Sequence, residues 1–244
     1  MNKEKRQVLG VIGGLGPMAT AYFMELVIQM TDATTDQEHL DMIVYNYPSI
    51  PDRTANILDN TKPSPLEPML AIGKKLEQQA VAKIAIPCMT AHNFLDGLTR
   101  QISVPILDGV TATAKHLQQH GITCVGIMAT DGCVAGGVFQ RTLQKLGMQF
   151  VLPDKTQQAN VMHLVYQNIK ANKSPEMDRF RAVSHQLRAA GAQAIILGCT
   201  ELSLIKRDYN IGPGYIDAME VLSQQAILGC GGKLKNAFEN LISR

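Results

Sequence analysis

A chain of 244 residues, with 45% hydrophobic and 18% charged residues, has the composition of an ordinary globular protein. A formal net charge of +2 gives no electrostatic footprint for nucleic acid, and no apolar run approaches the roughly 18 residues needed to span a bilayer. We therefore expect neither a nucleic-acid partner nor a membrane span.

The five cysteines are an odd number and show no CxxC or His-x-Cys spacing. They indicate neither a disulfide framework nor a zinc site, so we expect no metal. The basic N-terminus, MNKEKRQ, runs directly into an apolar stretch and lacks the h-region and cleavage site of a signal peptide. These features predict a cytoplasmic protein with reduced thiols.

Strand-like apolar runs alternate with helix-like segments along the whole chain. The first runs are VLGVIGG from residue 8, DMIVYNYP from residue 41 and KIAIPC from residue 83, and helix-compatible stretches separate them. Gly or Pro residues close most segments. The alternation predicts an α/β fold with parallel sheets.

The two halves of the chain resemble each other at three places in the same order. VLGVIGG matches CVGIMAT near residue 124, KIAIPCMTAH matches AIILGCTELS near residue 194, and PILDGVTATAKHL near residue 105 matches GYIDAMEVLSQQA near residue 214. The separation of equivalent positions drifts only from 116 to 109 residues, as small loop deletions would produce. We interpret the pattern as a duplication.

The duplication predicts two similar α/β domains related by pseudo-two-fold symmetry, with the active site in the cleft between them. The predicted first domain comprises residues 1–106 plus 211–244, and the second comprises residues 107–210. Ligands of open α/β sheets bind at the carboxyl ends of strands, so equivalent strand ends from both halves should meet at the cleft.

Two of the cysteines occupy equivalent positions at such strand ends. Cys88 follows KIAIP and Cys199 follows AIILG, and a Thr and a helix-compatible stretch follow soon after each. A helix N-terminus at each thiol is expected to favour a thiolate. Cys124, Cys133 and Cys230 lack this paired context, and we interpret them as structural.

Five short motifs resemble the aspartate/glutamate racemase family, and specifically its aspartate racemase branch. They are VIGGLGPMAT at the start of the chain, PDRT at 51–54, PCMTAH at 87–92, MATDG at 128–132 and GCTE at 198–201. The resemblance covers nearly the whole chain. It implies a racemase that needs no cofactor, acts on a small acidic amino acid by a two-base mechanism, and is commonly a homodimer.

Inversion of an α-carbon requires a base on one face and an acid on the other, so two thiols form a minimal catalytic pair. We predict that Cys88 and Cys199 have these roles, with aspartate as the first expected substrate and glutamate as the next. Donors around the α-carboxylate must stabilise the carbanionic transition state. The predicted donors are Thr90, Thr130, Thr200 and the backbone N–H groups of Leu15 and Met89.

Cations that reach a carboxylate should select the substrate. By resemblance, Arg53 in PDRT matches the family's arginine, and its planar fork suits bidentate carboxylate binding. Lys170 in NIKANK resembles, more loosely, the lysine of aspartate-specific members. His92, four residues after Cys88, is expected either to tune that thiol or to have a structural role.

The chain departs from the family pattern at Met89, where the family usually has Asn after its first cysteine. The change removes an amide that both donates and accepts hydrogen bonds and leaves a flexible thioether. Three outcomes stay open: aspartate racemisation through the Met89 backbone amide, preference for a different amino acid, or a weakened amino-acid-binding relative.

Two further alternatives come from other reaction classes. Gly14, Gly16 and Ala19 follow an apolar strand as a dinucleotide-binding fingerprint requires, although DMIVYNY lacks the terminal acid that would bind a ribose. A nicotinamide oxidoreductase is therefore a remote alternative. The second is a decarboxylase or isomerase of the same superfamily that uses a single cysteine.

Overall fold

Parallel strands form two sheets in the computed structural model, which describes residues 7–243. The basic segment at 1–6 lies outside the described residues. The strands are β1 (Leu9–Gly13), β2 (Met42–Asn46), β3 (Lys83–Ala85), β4 (Cys124–Met128), β5 (Gln149–Val151), β6 (Ala194–Leu197) and β7 (Tyr215–Asp217). The sheet orders are β2-β1-β3 and β5-β4-β6-β7.

Helices connect these strands. They are α1 (Pro17–Met30), α2 (Arg53–Leu58), α3 (Leu66–Gln78), α4 (Leu95–Thr99), α5 (Gly109–Gln119), α6 (Asp131–Gly136), α7 (Val138–Lys145), α8 (Lys155–Met162), α9 (Met177–Ala189), α10 (Thr200–Asp208) and α11 (Ala218–Gly229). A 3₁₀ helix spans Met89–Phe94, and a π-helical segment, His163–Ile169, continues directly from α8. Within residues 7–243, no helix combines the length and apolarity that crossing a membrane requires.

The strand order displays the duplication. β1 pairs with β2 and β3, just as β4 pairs with β5 and β6. Ile84 of β3 forms a parallel bridge with Ile106. Ile106 therefore lies beside β3 in the way that β7 lies beside β6. Asp108 and Asp217 then cap α5 and α11 with their carboxylates. The predicted α/β fold with two similar parallel sheets is confirmed.

The domain boundaries proposed from the sequence stay a prediction. Residues 211–244 contribute to both halves: β7 hydrogen-bonds to β6 in the four-stranded sheet, whereas α11 packs against α1 and α5. The segment therefore crosses from one sheet to the layer between the sheets.

A central core joins the two sheets. Leu9 and Val11 of β1, together with Val125 and Ile127 of β4, are fully buried in it against residues of α1, α5 and α11. On the opposite face of β1, Ile12 packs against residues of α3, in keeping with the alternation of side chains along a strand. Because both faces of the strands are buried, their sequences are nearly continuous apolar runs.

The turn after β1 requires glycine at position 14. Gly14 has φ of +92°, and a Cβ at this position would lie 2.4 Å from the backbone of Tyr47. Its N–H donates a hydrogen bond to Thr20 Oγ1 at 2.8 Å. The turn therefore holds the following residue, Leu15, at the end of the sheet that faces the cleft.

Candidate active site

One cavity is lined by residues from both halves of the chain. It includes all nine residues that the sequence predicts for the site: Leu15, Arg53, Cys88, Met89, Thr90, Thr130, Lys170, Cys199 and Thr200. It also includes four that the sequence analysis did not assign: Asp52, Thr54, Tyr166 and Glu201. The roles of these residues stay predictions, but their position around one cavity is observed.

The two thiols reach the cavity from different sheets. Cys88 lies after β3 and immediately before the 3₁₀ helix, and Cys199 lies after β6 and immediately before α10. Each residue is only 6% exposed. A helical N-terminus therefore follows each thiol, as the duplication predicts.

Arg53 lies beside the Cys88 thiol. Burial alone would lower the pKa of Arg53, but its interactions with Cys88 and with the charges of Asp52 and Glu201 raise that pKa above its ordinary value. The guanidinium also donates to the carbonyl oxygens of Pro51 at 3.1 Å and Leu15 at 3.2 Å. The buried Nε of Arg53 has no hydrogen-bond partner, so this N–H donor of the guanidinium is free.

Cys199 has a carboxylate as its neighbour. Its Sγ–H donates to Glu201 Oε2 at 2.9 Å, and Thr200 Oγ1 donates to the same oxygen at 3.2 Å. Burial, followed by the charge of Glu201, raises the pKa of Cys199 well above its ordinary value. In this closed state, burial and the Glu201 carboxylate therefore oppose the thiolate that a helix N-terminus favours.

Three threonine hydroxyls connect the two halves beside the thiols. Thr90 and Thr130 are hydrogen-bonded through their Oγ1 atoms at 3.0 Å, and Thr54 Oγ1 donates to Thr130 Oγ1 at 3.4 Å. Thr130 also caps α6, because its Oγ1 accepts from the Cys133 N–H at 3.3 Å. The hydroxyls of the first half thus contact the second half directly at the cavity.

Asp52, Lys170 and Tyr166 form a second bridge between the halves. Lys170 Nζ lies 3.7 Å from Asp52 Oδ2 and 4.1 Å from the centre of the Tyr166 ring, and the Tyr166 hydroxyl donates to Asp52 Oδ2 at 3.3 Å. Tyr166 belongs to the π-helical segment and Lys170 follows it directly. Interruptions of this kind in α-helices are frequent at functional sites.

His92 contacts backbone atoms. Its Nε2 accepts from the Gly109 N–H at 3.1 Å, so Nδ1 carries the proton and donates to the Cys88 carbonyl oxygen at 3.0 Å. Burial lowers the pKa of His92 below its ordinary value, which keeps the ring neutral. Of its two expected roles, the geometry supports the structural one.

The Met89 side chain packs in the central core. It is 1% exposed, and its methyl group lies beside Gly109 at the start of α5. The thioether that stands where the family usually has an amide therefore packs in the core. The side chain points toward α5 because an apolar group is more stable in the core than in a polar cavity.

The cavity between the thiols is nearly closed. The centre of a water molecule can occupy only about 10 Å³ there, enough for about one water molecule. A larger chamber of about 930 Å³ lies outside it and shares Asp52, Arg53, Lys170 and Glu201 as walls. The Asp52–Lys170 pair therefore lies at the boundary between the cavity and the chamber.

The four additional residues differ in how visible they are in the sequence. Asp52 and Thr54 flank Arg53 in PDRT, and Glu201 ends GCTE, so the motifs contained them although no role was assigned. Tyr166 lies in no motif, and only the fold brings it to the cavity. Within the part of the chain that the structure describes, no group of three or more His, Cys, Asp or Glu side chains could hold a metal.

The fold and cavity define a two-sheet α/β protein with two thiols at one cavity, and comparison with known proteins identifies its family. The family model for Asp/Glu/Hydantoin racemase matches residues 12–226. Aspartate racemase from Picrophilus torridus superimposes with a TM-score of 0.85 at 30% identity, covering 96% of this chain and 99% of that one.

Two other relatives extend the comparison. The broad-specificity amino-acid racemase RacX of Bacillus subtilis is 27% identical over 90% of this chain and 96% of its own length. Glutamate racemase from Francisella tularensis shares the fold, with a TM-score of 0.62 at 18% identity over 90% of this chain and 79% of that one. The chain belongs to the Asp/Glu/Hydantoin racemase family and is an amino-acid racemase independent of pyridoxal phosphate.

Proposed function

We propose that this racemase inverts the α-carbon of an acidic amino acid, aspartate first and glutamate next, by proton transfer between Cys88, substrate and Cys199. The observation that supports the proposal best is the placement of two equivalent thiols, one from each half, around one small cavity. Inversion needs one such group on each side of the substrate.

The proton transfers balance without a cofactor. In one direction, a Cys88 thiolate removes the α-proton and becomes a thiol, while the Cys199 thiol delivers its own proton to the opposite face and becomes a thiolate. The reverse reaction exchanges these states. Arg53 places a cation beside Cys88 and Glu201 places a carboxylate beside Cys199, so the charges around the two thiols fit the first direction.

The carbanion that forms on removal of the α-proton needs donors around the α-carboxylate. Thr90, Thr130, Thr200, Leu15 and Met89 line the cavity, and we assign their hydroxyls and backbone N–H groups to this role. The hydroxyls, which bond to one another and to Glu201 in the closed cavity, then exchange those partners for the substrate. Because nearly all water is excluded from the closed cavity, each of these hydrogen bonds is stronger than it would be in solution.

The preference for an acidic substrate rests on two cations. Lys170 and Arg53 line both the cavity and the chamber outside it, so either can meet a side-chain carboxylate as the substrate enters. The aspartate racemase of Picrophilus torridus supports aspartate, whereas RacX supports a broader range of amino acids. Aspartate is proposed first because the cations are present.

The dinucleotide alternative has little support. The Gly14 N–H, which a pyrophosphate would need, already donates to Thr20 Oγ1, and β2 ends without an acidic residue for a ribose. The single-cysteine alternative leaves the second thiol without a role. The expected homodimer and cytoplasmic location belong to the same proposal, and light scattering on the purified protein would measure the assembly.

The test is isotope exchange in deuterated water. Purified protein with L-aspartate or L-glutamate under reducing conditions should replace the α-proton by deuterium and accumulate the D-enantiomer, as followed by NMR and chiral chromatography. Cys88→Ser and Cys199→Ser should each abolish inversion, whereas Cys124→Ser, outside the cavity, should retain it. Full inversion by either cavity variant would contradict the two-base mechanism.

A further inference from the structure

We infer, building on the proposed function, that Glu201 is a positioning residue that keeps Cys199 protonated, so that Cys199 acts as the acid when substrate first binds. Glu201 is 5% exposed, and its Oε2 accepts hydrogen bonds from both Cys199 Sγ and Thr200 Oγ1. A carboxylate that accepts from a thiol stabilises the thiol, because ionisation would place two anions in contact.

The duplication is broken at this position. When Cys88 is matched with Cys199, Thr90 occupies the place of Glu201. Thr90 bonds to the neutral hydroxyl of Thr130, whereas Glu201 presents a carboxylate to the sulfur. Two thiols at equivalent strand ends therefore have neighbours of different charge, and the difference arises from one residue of the repeat.

The other charged and titratable groups around Cys199 do not cancel this effect. Lys170 and Tyr166 reach it from the end of the π-helical segment, and the ammonium of Lys170 acts to lower the pKa of Cys199. Lys170 is also engaged by Asp52 at 3.7 Å. Burial and Glu201 outweigh Lys170, so the pKa of Cys199 is raised.

The first half provides the opposite charge. The Arg53 guanidinium lies beside the Cys88 sulfur, whereas the Glu201 carboxylate accepts from the Cys199 sulfur. Two-base inversion requires one thiolate and one thiol, and a carboxylate in contact with Cys199 holds the proton on that thiol.

A kinetic consequence follows from the symmetry of the reaction. The equilibrium constant between enantiomers is one, so kcat/KM must be equal in the two directions whatever the resting protonation. The role of Glu201 therefore appears in the pH profile of kcat/KM. The alkaline limb reports loss of the proton from Cys199, and the carboxylate keeps that limb at high pH.

The experiment compares the parent enzyme with Glu201→Gln. Alkylation of Cys199 by iodoacetamide, resolved by peptide mass spectrometry across pH, should have its midpoint lowered by about 1 to 3 units in the variant. The alkaline limb of kcat/KM should move by the same amount. Glu201→Asp, which keeps the charge but withdraws it by one methylene, should fall between the two proteins.

Glu220→Gln is the matched control. It removes a partly buried carboxylate from the neighbouring α11, outside the residues that line the cavity, and should leave the midpoint for Cys199 unchanged. An unaltered midpoint in folded Glu201→Gln would overturn the inference, even if activity fell. A lowered midpoint in a protein whose parent shows no racemisation would support the role of Glu201 and reject the proposed function instead.

Discussion

A methyl group at Gly132 should hold the two halves apart beside the active site. Gly132 lies in α6 of the second half and abuts α2 of the first, where an added Cβ would lie 2.6 Å from Thr54 Cα. Carbon atoms pack best at about 3.5 to 4.0 Å. The obstructing atom belongs to the backbone and cannot rotate away, so Gly132→Ala must separate α2 from α6 by about 1 Å.

The displacement would reach the cavity directly. Thr54 follows Arg53 at the start of α2, and its hydroxyl bonds to Thr130 immediately before α6. A shift of about 1 Å in catalytic geometry can lower a rate about 100-fold, so kcat/KM for inversion should fall by about that factor. Overpacking should also lower the free energy of unfolding by about 1 to 3 kcal/mol.

The assay measures initial rates of aspartate inversion by chiral chromatography, together with urea unfolding to separate activity from stability. Gly229→Ala is the matched control, because its Cβ would lie 3.7 Å from its nearest neighbours, an ordinary contact. A folded Gly132→Ala variant with kcat/KM within about twofold of the parent would refute the reasoning, since about 1 Å of separation should cost far more than that.

Three further changes address substrate binding and pH. Asp52→Asn keeps an N-cap at α2 but releases Lys170 from its ion pair. Because a partly exposed ion pair contributes up to about 1 kcal/mol, steady-state kinetics should show the KM for aspartate lowered by up to about fivefold. A raised KM would contradict a competition between Asp52 and the substrate for Lys170. Lys170→Met should raise the same KM by about tenfold or more through loss of a charge-assisted hydrogen bond, and an unchanged KM would remove Lys170 from substrate binding. Burial lowers the pKa of His92 below 6.5, so the unfolded chain binds the proton more readily than the folded protein. The free energy of unfolding should therefore decline as pH falls below 6.5, and His92→Gln should flatten that decline in a series of urea unfolding curves. The same pH dependence in both proteins would exclude His92 as its source.

Much of the site was visible in the sequence because strand ends and motif order are local properties. Cys88 and Cys199 end apolar runs, and a parallel sheet places the carboxyl ends of its strands at one edge. Arg53 and Thr130 lie in the motifs PDRT and MATDG, each at the start of a helix. All nine predicted residues consequently line one cavity.

The tertiary contacts that these side chains make could not be predicted from the sequence. The bond between Thr54 and Thr130 joins positions 76 residues apart and exists only when the two halves pack together. Met89 follows Cys88 in its motif and lines the cavity, yet its side chain packs in the core beside Gly109. Side-chain direction depends on the neighbours that packing supplies, and a linear pattern does not contain them.

The sequence by itself determined the duplicated α/β fold and the equivalence of the two thiols, because hydrophobic periodicity and repeated motifs are carried by neighbours along the chain. Only the tertiary structure decided that the thiols are chemically unequal, with Arg53 beside Cys88 and Glu201 beside Cys199. The physical reason is that a thiol's protonation follows from burial and from the charges packed against it, and those charges meet the sulfur through folding.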